Sequence, residues 1–433
     1  MKRNNMIIVL FILIFILVGC GKREERDTYV DGSDFQYQYL GNYANNKAKG
    51  NNCLYCQFGN FLYQFDEKSG VLSPLCNQAN CLHDKETISS RMANCNAFVP
   101  NDGTDVGLQY MNGYIYTIME EWNKDNIDYV LYKIKEDGSS KEKVYNWTDK
   151  AIESWCMHRD NAYVLEHYYD GTGKECYQVN EISVDSGKKT KMIFEPDTDI
   201  SVTGISALKM YGNHLYISIW GLTKKDLKNI SDEDWYKYEY SKTFQYHILD
   251  ETISEITVPD QKETEHVTSV TFWKDKIVYA PIDSKYEHQY DKTTNLYIAD
   301  LDGNNPSVLL NDVPAYQVYS SDGDYLYVSN VAELEDRVFH SEAYKKKLEA
   351  GEDYVAKENV AVKIKIYDRD MNLVDEMKTK KMDFPRELPY GIGNRQYVIN
   401  QDGDKITLKY WDKNNIGTYH GYTFEYTPIA EMK

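Results

Sequence analysis

Three thiols and an imidazole fall within twenty residues of one another, in the order Cys76-x4-Cys81-x-His83-x11-Cys95. Thiolate sulfur and neutral imidazole nitrogen are the donors that a closed tetrahedral zinc site uses. Such a site would order a loop that has little core of its own, because metal binding and folding share one free energy. The same residues also fit a disulfide, Cys81 with Cys95 or with Cys76, which leaves His83 a surface residue. A third reading leaves the thiols unpaired. The chain has eight cysteines. Setting Cys20 aside leaves an odd number, so they cannot all pair within the chain.

The remaining cysteines offer less. Cys53 and Cys56 lie three apart in a strand pattern, about 10 Å between Cα atoms, beyond the roughly 7 Å that a bridge tolerates. Cys156 and Cys176 fall on the first and third strands of one repeat, with a strand between them. Cys53-Leu-Tyr-Cys56 is followed by Gln57, not by the histidine that covalent heme attachment needs. No Gly-x-Ser-x-Gly, His-Glu-x-x-His or phosphate-binding glycine loop occurs, and no catalytic residue is singled out.

Aromatic side chains beside carboxylates form the other candidate chemistry. Trp122, Tyr168, Tyr169, Trp220, Trp235, Tyr236, Tyr286 and Tyr290 fall in or beside acidic connections. Such platforms suit a sugar ring, a peptide or a cation. The alternative is a set of solvated loops in a chain with 39 tyrosines.

A repeated unit positions all of these residues. A turn of Gly, Asn or Asp followed by a short apolar strand ending in tyrosine recurs seven times, at Tyr55, Tyr116, Tyr163, Tyr216, Tyr279, Tyr327 and Tyr397. A second strand closing on an acidic turn follows each, as in Tyr63-Gln-Phe-Asp66 and Tyr297-Ile-Ala-Asp300, and Gly70, Gly138, Gly187 and Gly303 supply hairpin geometry. Four strands per period of this length are the mark of radial repetition. The pattern predicts an all-β chain, a single seven-bladed β-propeller, with six or eight blades as alternatives. The intervals between the anchor tyrosines are 61, 47, 53, 63, 48 and 70 residues. The excess falls in the cysteine segment and in two predicted helical insertions. One covers 222–242 in blade four, with a capping pair Ser231 and Asp234; the other covers Glu333 to Ala350 in blade six, stopped by Gly351. Antiparallel order within a blade sends second-to-third-strand connections and blade-to-blade connections to one face, where all three extras are expected together.

The chain opens with Lys2 and Arg3, an uncharged run from Met6 to Val18, and Leu17-Val18-Gly19-Cys20. A basic start, an apolar run and a small residue before the cut describe an export signal. The run is too short to span a bilayer before charge resumes at Lys22. Leu-Val-Gly-Cys resembles the lipobox of bacterial lipoproteins, which implies a diacylglycerol on Cys20 and an anchor with two acyl chains. The expected organisation is a signal peptide over 1–19, a lipidated Cys20 with a flexible tether to residue 34, and a propeller over 35–433. Loss of residues 1–19 takes the net charge from −19 to −21. Such a surface disfavours nucleic acid as a partner.

The lipobox, the tyrosine-ended repeats and Leu75-Cys76…Cys81-x-His83…Cys95-Asn96-Ala97-Phe98 together resemble a group of uncharacterised β-propeller lipoproteins of Gram-positive bacteria. These are similar in blade pattern to TolB-like and low-density-lipoprotein-receptor-like propellers. The YWTD signature of the receptor propellers is absent. The resemblance implies a propeller on the extracytoplasmic face of the cell membrane that binds or scaffolds an extracellular glycan, peptide or protein, without enzymatic activity, with structural zinc as its one candidate cofactor. A propeller-fold carbohydrate-active hydrolase, or a structural subunit of a membrane-associated assembly, is the alternative. A hydrolase needs two carboxyl groups about 5–9.5 Å apart across a substrate, and 68 acidic residues hide any such pair.

Overall fold

The computed structural model describes residues 27–30, 34, 47–51, 53–83, 94–99, 107–122, 127–196, 207–223, 237–283, 293–314, 318–321, 323–329, 342–350, 363–378, 390–392, 395–402, 405–412, 415 and 420–425. Short runs of alternating or wholly apolar residues, each ended by a Gly, Asn or Asp turn, form antiparallel strands joined by tight hairpins. Sheet one contains β1 (Lys47–Lys49), β2 (Cys53–Phe58), β3 (Phe61–Asp66) and β4 (Val71–Pro74). Sheet two contains β5 (Leu108–Met111), β6 (Tyr114–Trp122), β7 (Ile127–Lys135) and β8 (Lys141–Thr148). Sheet three contains β9 (Ala151–His158), β10 (Asn161–Tyr169), β11 (Glu175–Ser183) and β12 (Lys188–Phe194). Sheet four contains β13 (Ala207–Tyr211), β14 (His214–Leu222), β15 (Glu239–His247) and β16 (Thr252–Glu255).

A short ribbon pairs β17 (Glu265–Val267) with β20 (Pro281–Asp283) beside sheet five, which contains β18 (Thr271–Trp273), β19 (Lys276–Tyr279), β21 (Thr293–Ala299) and β22 (Ser307–Pro314). Sheet six contains β23 (Val318–Ser321), β24 (Leu326–Ser329), β25 (Lys363–Tyr367) and β26 (Leu373–Lys378), with helix α1 (Glu342–Glu349) between its second and third strands. Sheet seven contains β27 (Tyr390–Ile392), β28 (Arg395–Asp402), β29 (Lys405–Asp412) and β30 (His420–Glu425). In all seven sheets the strands follow chain order. The fold is an all-β propeller.

The first strands of successive sheets stand side by side, β1 with β5, β5 with β9, β9 with β13 and β18 with β23. The second strands hold the anchor tyrosines, and Tyr55, Tyr116, Tyr163, Tyr216, Tyr279 and Tyr327 are all buried. Several reach a neighbouring sheet. Tyr55 Oη donates to the carbonyl of Glu136 in the β7–β8 hairpin at 3.2 Å, and Tyr216 Oη donates to that of Leu301 beyond β21 at 2.6 Å. Stacking completes these seams, Tyr55 on Tyr110 at 5.9 Å and Tyr211 on Phe272 at 4.8 Å. The first and last sheets also meet, with Phe65 lying 5.3 Å from Tyr422 and 6.1 Å from Phe424 between ring centroids.

The acidic turns that follow the third strands close on themselves. Asp66 Oδ1 accepts from the backbone N–H of Ser69 at 2.7 Å, Asp137 Oδ1 from Ser139 at 2.9 Å, and Asp368 Oδ1 from Asn372 at 2.9 Å. These carboxylates therefore serve turn chemistry.

One expectation is revised. The helix expected over 222–242 gives way at both described ends to strand, since Leu222 closes β14 and Glu239 to Lys242 open β15. Cross-strand pairing with β14 overrides local propensity there; the capping pair Ser231 and Asp234 lies outside the described residues. In sheet six the described part of the expected helix runs from Glu342 to Glu349, and 333–341 lie outside the described residues. Of the tether expected up to residue 34, residues 27–30 and 34 are described and touch the sheets. Asp27 O accepts from Asn213 N at 2.9 Å, Tyr29 stacks on Tyr211 at 5.7 Å, and Asp34 takes a hydrogen bond from Arg159 Nε at 3.2 Å. Two polar contacts and one ring stack carry no periodic signal in the sequence.

Contact between Phe65 and Tyr422 makes ring closure measurable. A double-mutant cycle of Phe65→Ala and Tyr422→Ala, read by denaturant unfolding, is expected to give a coupling of about 0.5–3 kcal/mol, the range for touching residues. Additivity within about 0.5 kcal/mol would show that the two ends of the chain do not pack together.

Candidate metal centre

The cysteine segment leaves β4 and returns along sheet one. Leu75 N donates to Leu62 O at 2.8 Å, Leu62 N to Ala97 O at 2.8 Å, and Val99 N to Asn60 O at 2.9 Å. Phe98 packs edge-on against Phe61 at 5.6 Å. Cys95 through Val99 are buried in this seam. The donor atoms of Cys76, Cys81, His83 and Cys95 all lie within 4.8 Å of one another. All four residues proposed from spacing alone therefore converge.

A second sheet supports the cluster. Asn77 N and Asn96 Nδ2 donate to Gly138 O at 3.1 and 2.9 Å, and Lys141 Nζ donates to Cys95 O at 3.1 Å and Phe98 O at 2.9 Å. Gly138 sits at φ 69°, and a Cβ there would fall 2.8 Å from Cys76 N. Only glycine allows that approach in that conformation. The centre thus wedges between sheets one and two on the outer rim. In sheet one the segment lies beside the β2–β3 turn, where Val99 N meets Asn60 O, and in sheet two it meets the β7–β8 hairpin at Gly138.

Electrostatics in the cluster favour a cation. Burial alone would push the Cys76 thiol up, but hydrogen bonds from the backbone N–H groups of Gln78 and Asn96, and from Cys95 and Cys81, hold it below its ordinary value. Burial, with Cys81 and Cys76 beside it, pushes the Cys95 thiol up. Thiols this close oppose one another's ionisation unless a positive charge sits among them. Backbone N–H groups aimed at sulfur are the outer support that a metal thiolate needs. His83 Nδ1 is buried and, among the described residues, lacks a hydrogen-bond partner. The donor set therefore fits a four-coordinate soft cation, and four protein donors leave no position for substrate. Cys56 and Cys156 differ, since burial raises the first to about 12 and the second further. They are inert core thiols.

Of the aromatic candidates, the side chains of Tyr168, Tyr169 and Trp220 are described. Trp235, Tyr236, Tyr286 and Tyr290 lie outside the described residues, as does the side chain of Trp122 at the end of β6. Tyr168 is half-buried under Lys150 Nζ, which stands 4.6 Å from its ring centroid. Tyr169 is 66% exposed at the end of β10. Trp220 Nε1 donates to Glu239 Oε1 at 2.8 Å across β14 and β15. Beside Tyr169, His167 is held between Glu153 at 3.3 Å and Glu175 at 3.0 Å and stacks on Tyr177 at 4.5 Å. Chain spacing missed a second cluster, Asp27 with His214 and His247. His214 and His247 are direct cross-strand partners, so aligning the second and third strands of blade four would have paired them; nothing in the sequence draws Asp27 to them.

No protein-family model matches the chain, and no curated protein matches it. Solved structures do. An acylaminoacyl peptidase in complex with Z-Gly-Gly-Phe-chloromethyl ketone is 12% identical with a TM-score of 0.44, and the match covers 72% of this chain but only 44% of that one. The β-propeller domain of the Trilobed protease from Pyrococcus furiosus, described as an open velcro topology, is 13% identical over 74% of this chain and 83% of that chain, with a TM-score of 0.44. TolB from Acinetobacter baumannii is 10% identical over 85% of this chain and 76% of that chain, with a TM-score of 0.37. The similar structures thus include TolB and other propeller proteins. Likeness at this level concerns the fold, and the chemistry of those proteins stays with them.

Metal loading tests the rim cluster. Chain purified under reducing conditions and exchanged into Co²⁺ is expected to show one equivalent with thiolate-to-cobalt charge-transfer absorption, lost in Cys81→Ser. Protein with two fewer titratable thiols and no such band would establish the disulfide instead.

Proposed function

We propose that this chain is a membrane-anchored extracytoplasmic lipoprotein, held through acylated Cys20, whose propeller binds or scaffolds an extracellular glycan, peptide or protein without catalysing a reaction. The observation that carries this reading is the position of the N-terminal segment. Asp27 and Asp34 dock on Asn213 and Arg159, in the turns between first and second strands of sheets four and three. The second-to-third-strand connections of the same sheets leave the opposite end, as antiparallel order requires. Asp27 lies seven positions after Cys20, a reach of at most about 25 Å. An anchor there holds one end of the ring toward the membrane and turns the other outward. That outward end carries Tyr169, Tyr168 and Trp220. Loops mounted on a rigid scaffold are where binding groups are usually placed.

Seven is the blade count we infer for the closed ring. Seven four-stranded sheets among the described residues and contact between the first and last support it, with six blades as the alternative. Structural zinc at Cys76, Cys81, His83 and Cys95 would staple blade one to blade two. Glu166, fully buried, accepts from Trp147 Nε1 at 2.9 Å and pairs with Lys150, so this carboxylate has a structural role. Among the described residues, no helix is long and apolar enough to cross a membrane, and a lipid anchor needs none.

Two variants of the full chain test the proposal. Cys20→Ala is expected to move the protein from membranes to the soluble fraction. Against glycan and peptide arrays, wild-type chain in detergent is expected to bind, with Tyr169→Ala weakening the hit by about 10-fold or more, as for an aromatic hot spot. Membrane retention of Cys20→Ala, or turnover of an arrayed glycan, would contradict the reading.

A further inference from the structure

The second polar cluster lies away from the cysteines, at the end of sheet four where the N-terminal segment docks. His214 opens β14 and His247 closes β15, paired directly across the ladder with ring centroids 4.8 Å apart. Their Nε2 atoms both meet the Asp27 carboxylate, at 3.2 Å from His214 and 2.6 Å from His247. All three donor atoms lie within 4.8 Å of one another. The outer nitrogens are held as well. His247 Nδ1 meets Asp250 Oδ1 at 2.8 Å, and the Gln245 amide meets His214 Nδ1 at 3.0 Å. At His247 the Asp250 carboxylate accepts the Nδ1 proton and frees Nε2 to bind a cation, the outer-shell arrangement found around histidine ligands. At His214 the Gln245 amide nitrogen faces Nδ1, and a cation on Nε2 requires that amide to turn its oxygen there instead.

The backbone presents Asp27 to this pair. Its carbonyl accepts from Asn213 N at 2.9 Å, and Gly212, at φ 55°, lets the segment approach so closely that a Cβ there would lie 2.0 Å from Asp27 O. His214 is buried, His247 half-buried, and the Asp27 side chain half exposed, which leaves coordination positions open to water.

We propose that Asp27, His214 and His247 form a second metal site, taking a divalent transition cation such as Zn²⁺, and that this ion clasps the N-terminal segment to sheet four. Two imidazoles and a carboxylate are a donor set for borderline divalent ions. The cation bridges the ring to a residue outside it, so its binding energy goes into holding the segment. The clasp does not depend on acylation of Cys20 or on any ligand at the outward end, so it stands or falls separately from the proposed function.

The test uses chelator-stripped full chain in detergent, titrated with Zn²⁺ and with Co²⁺. Two zinc equivalents are expected, and the second cobalt equivalent carries no thiolate charge-transfer band. Asp27→Asn, which leaves every strand pairing intact, and His247→Asn each lose that second equivalent and keep the first. Asp250→Asn retains it with affinity about 10–100-fold weaker. Hydrogen exchange at the Asn213 amide slows on adding Zn²⁺ in wild type and not in Asp27→Asn. A single, cysteine-dependent equivalent in wild type, or a second that survives both Asp27→Asn and His247→Asn, would overturn the proposal. So would Asn213 protection that is complete without metal, which is the signature of a proton-bridged ion pair.

Discussion

A buried tyrosine gains when its hydroxyl finds a hydrogen-bond partner, and in this protein several such partners lie on the neighbouring sheet. Six second strands, those of Tyr55, Tyr116, Tyr163, Tyr216, Tyr279 and Tyr327, carry a tyrosine into the core. For Tyr55 and Tyr216 the hydroxyl finds its partner on a hairpin carbonyl of the following sheet, Glu136 or Leu301. Tyr279 does the reverse, donating to Thr257 O as the chain leaves sheet four, at 3.0 Å. Burial supplies the favourable free energy, and the hydroxyl fixes the distance at which sheets settle. A sheet in such a ring buries its faces only against neighbours, so these seams are the structure.

Both metal-type clusters follow from the same constraint. Segments that are not part of a sheet have no seam of their own and must be fastened across someone else's. The cysteine segment is wedged between sheets one and two, gripped by the Gly138 hairpin and Lys141. The N-terminal segment sits over sheets three and four, held by Asn213, Arg159 and the two histidines. In each case polar or metal-ligating side chains add to a ring contact, Phe98 on Phe61 for the cysteine segment and Tyr29 on Tyr211 for the N-terminal one.

Much of the fold was legible because it repeats. All seven anchor tyrosines picked from turn-plus-strand pattern fall on second strands, from Tyr55 on β2 to Tyr397 on β28. The four hairpin glycines all take positive φ. Cys76, Cys81, His83 and Cys95 were legible because their spacing is local. What failed depended on distance or competition. Tyr240 and Ser241 read as helix until β14 is present to pair with them. Asp27 meets His247 across 220 positions of chain through polar contacts, a partnership with no periodic signal.

Equilibrium unfolding of Tyr216→Phe probes the seam most directly, because the ring stays buried and only the hydroxyl is lost. With Leu301 O left unpaired, the stability is expected to fall by about 1–3 kcal/mol, the cost of an unsatisfied buried polar group. A change of less than about 0.5 kcal/mol, the level of an ordinary surface substitution, would show that the hydroxyl does not hold the sheets together.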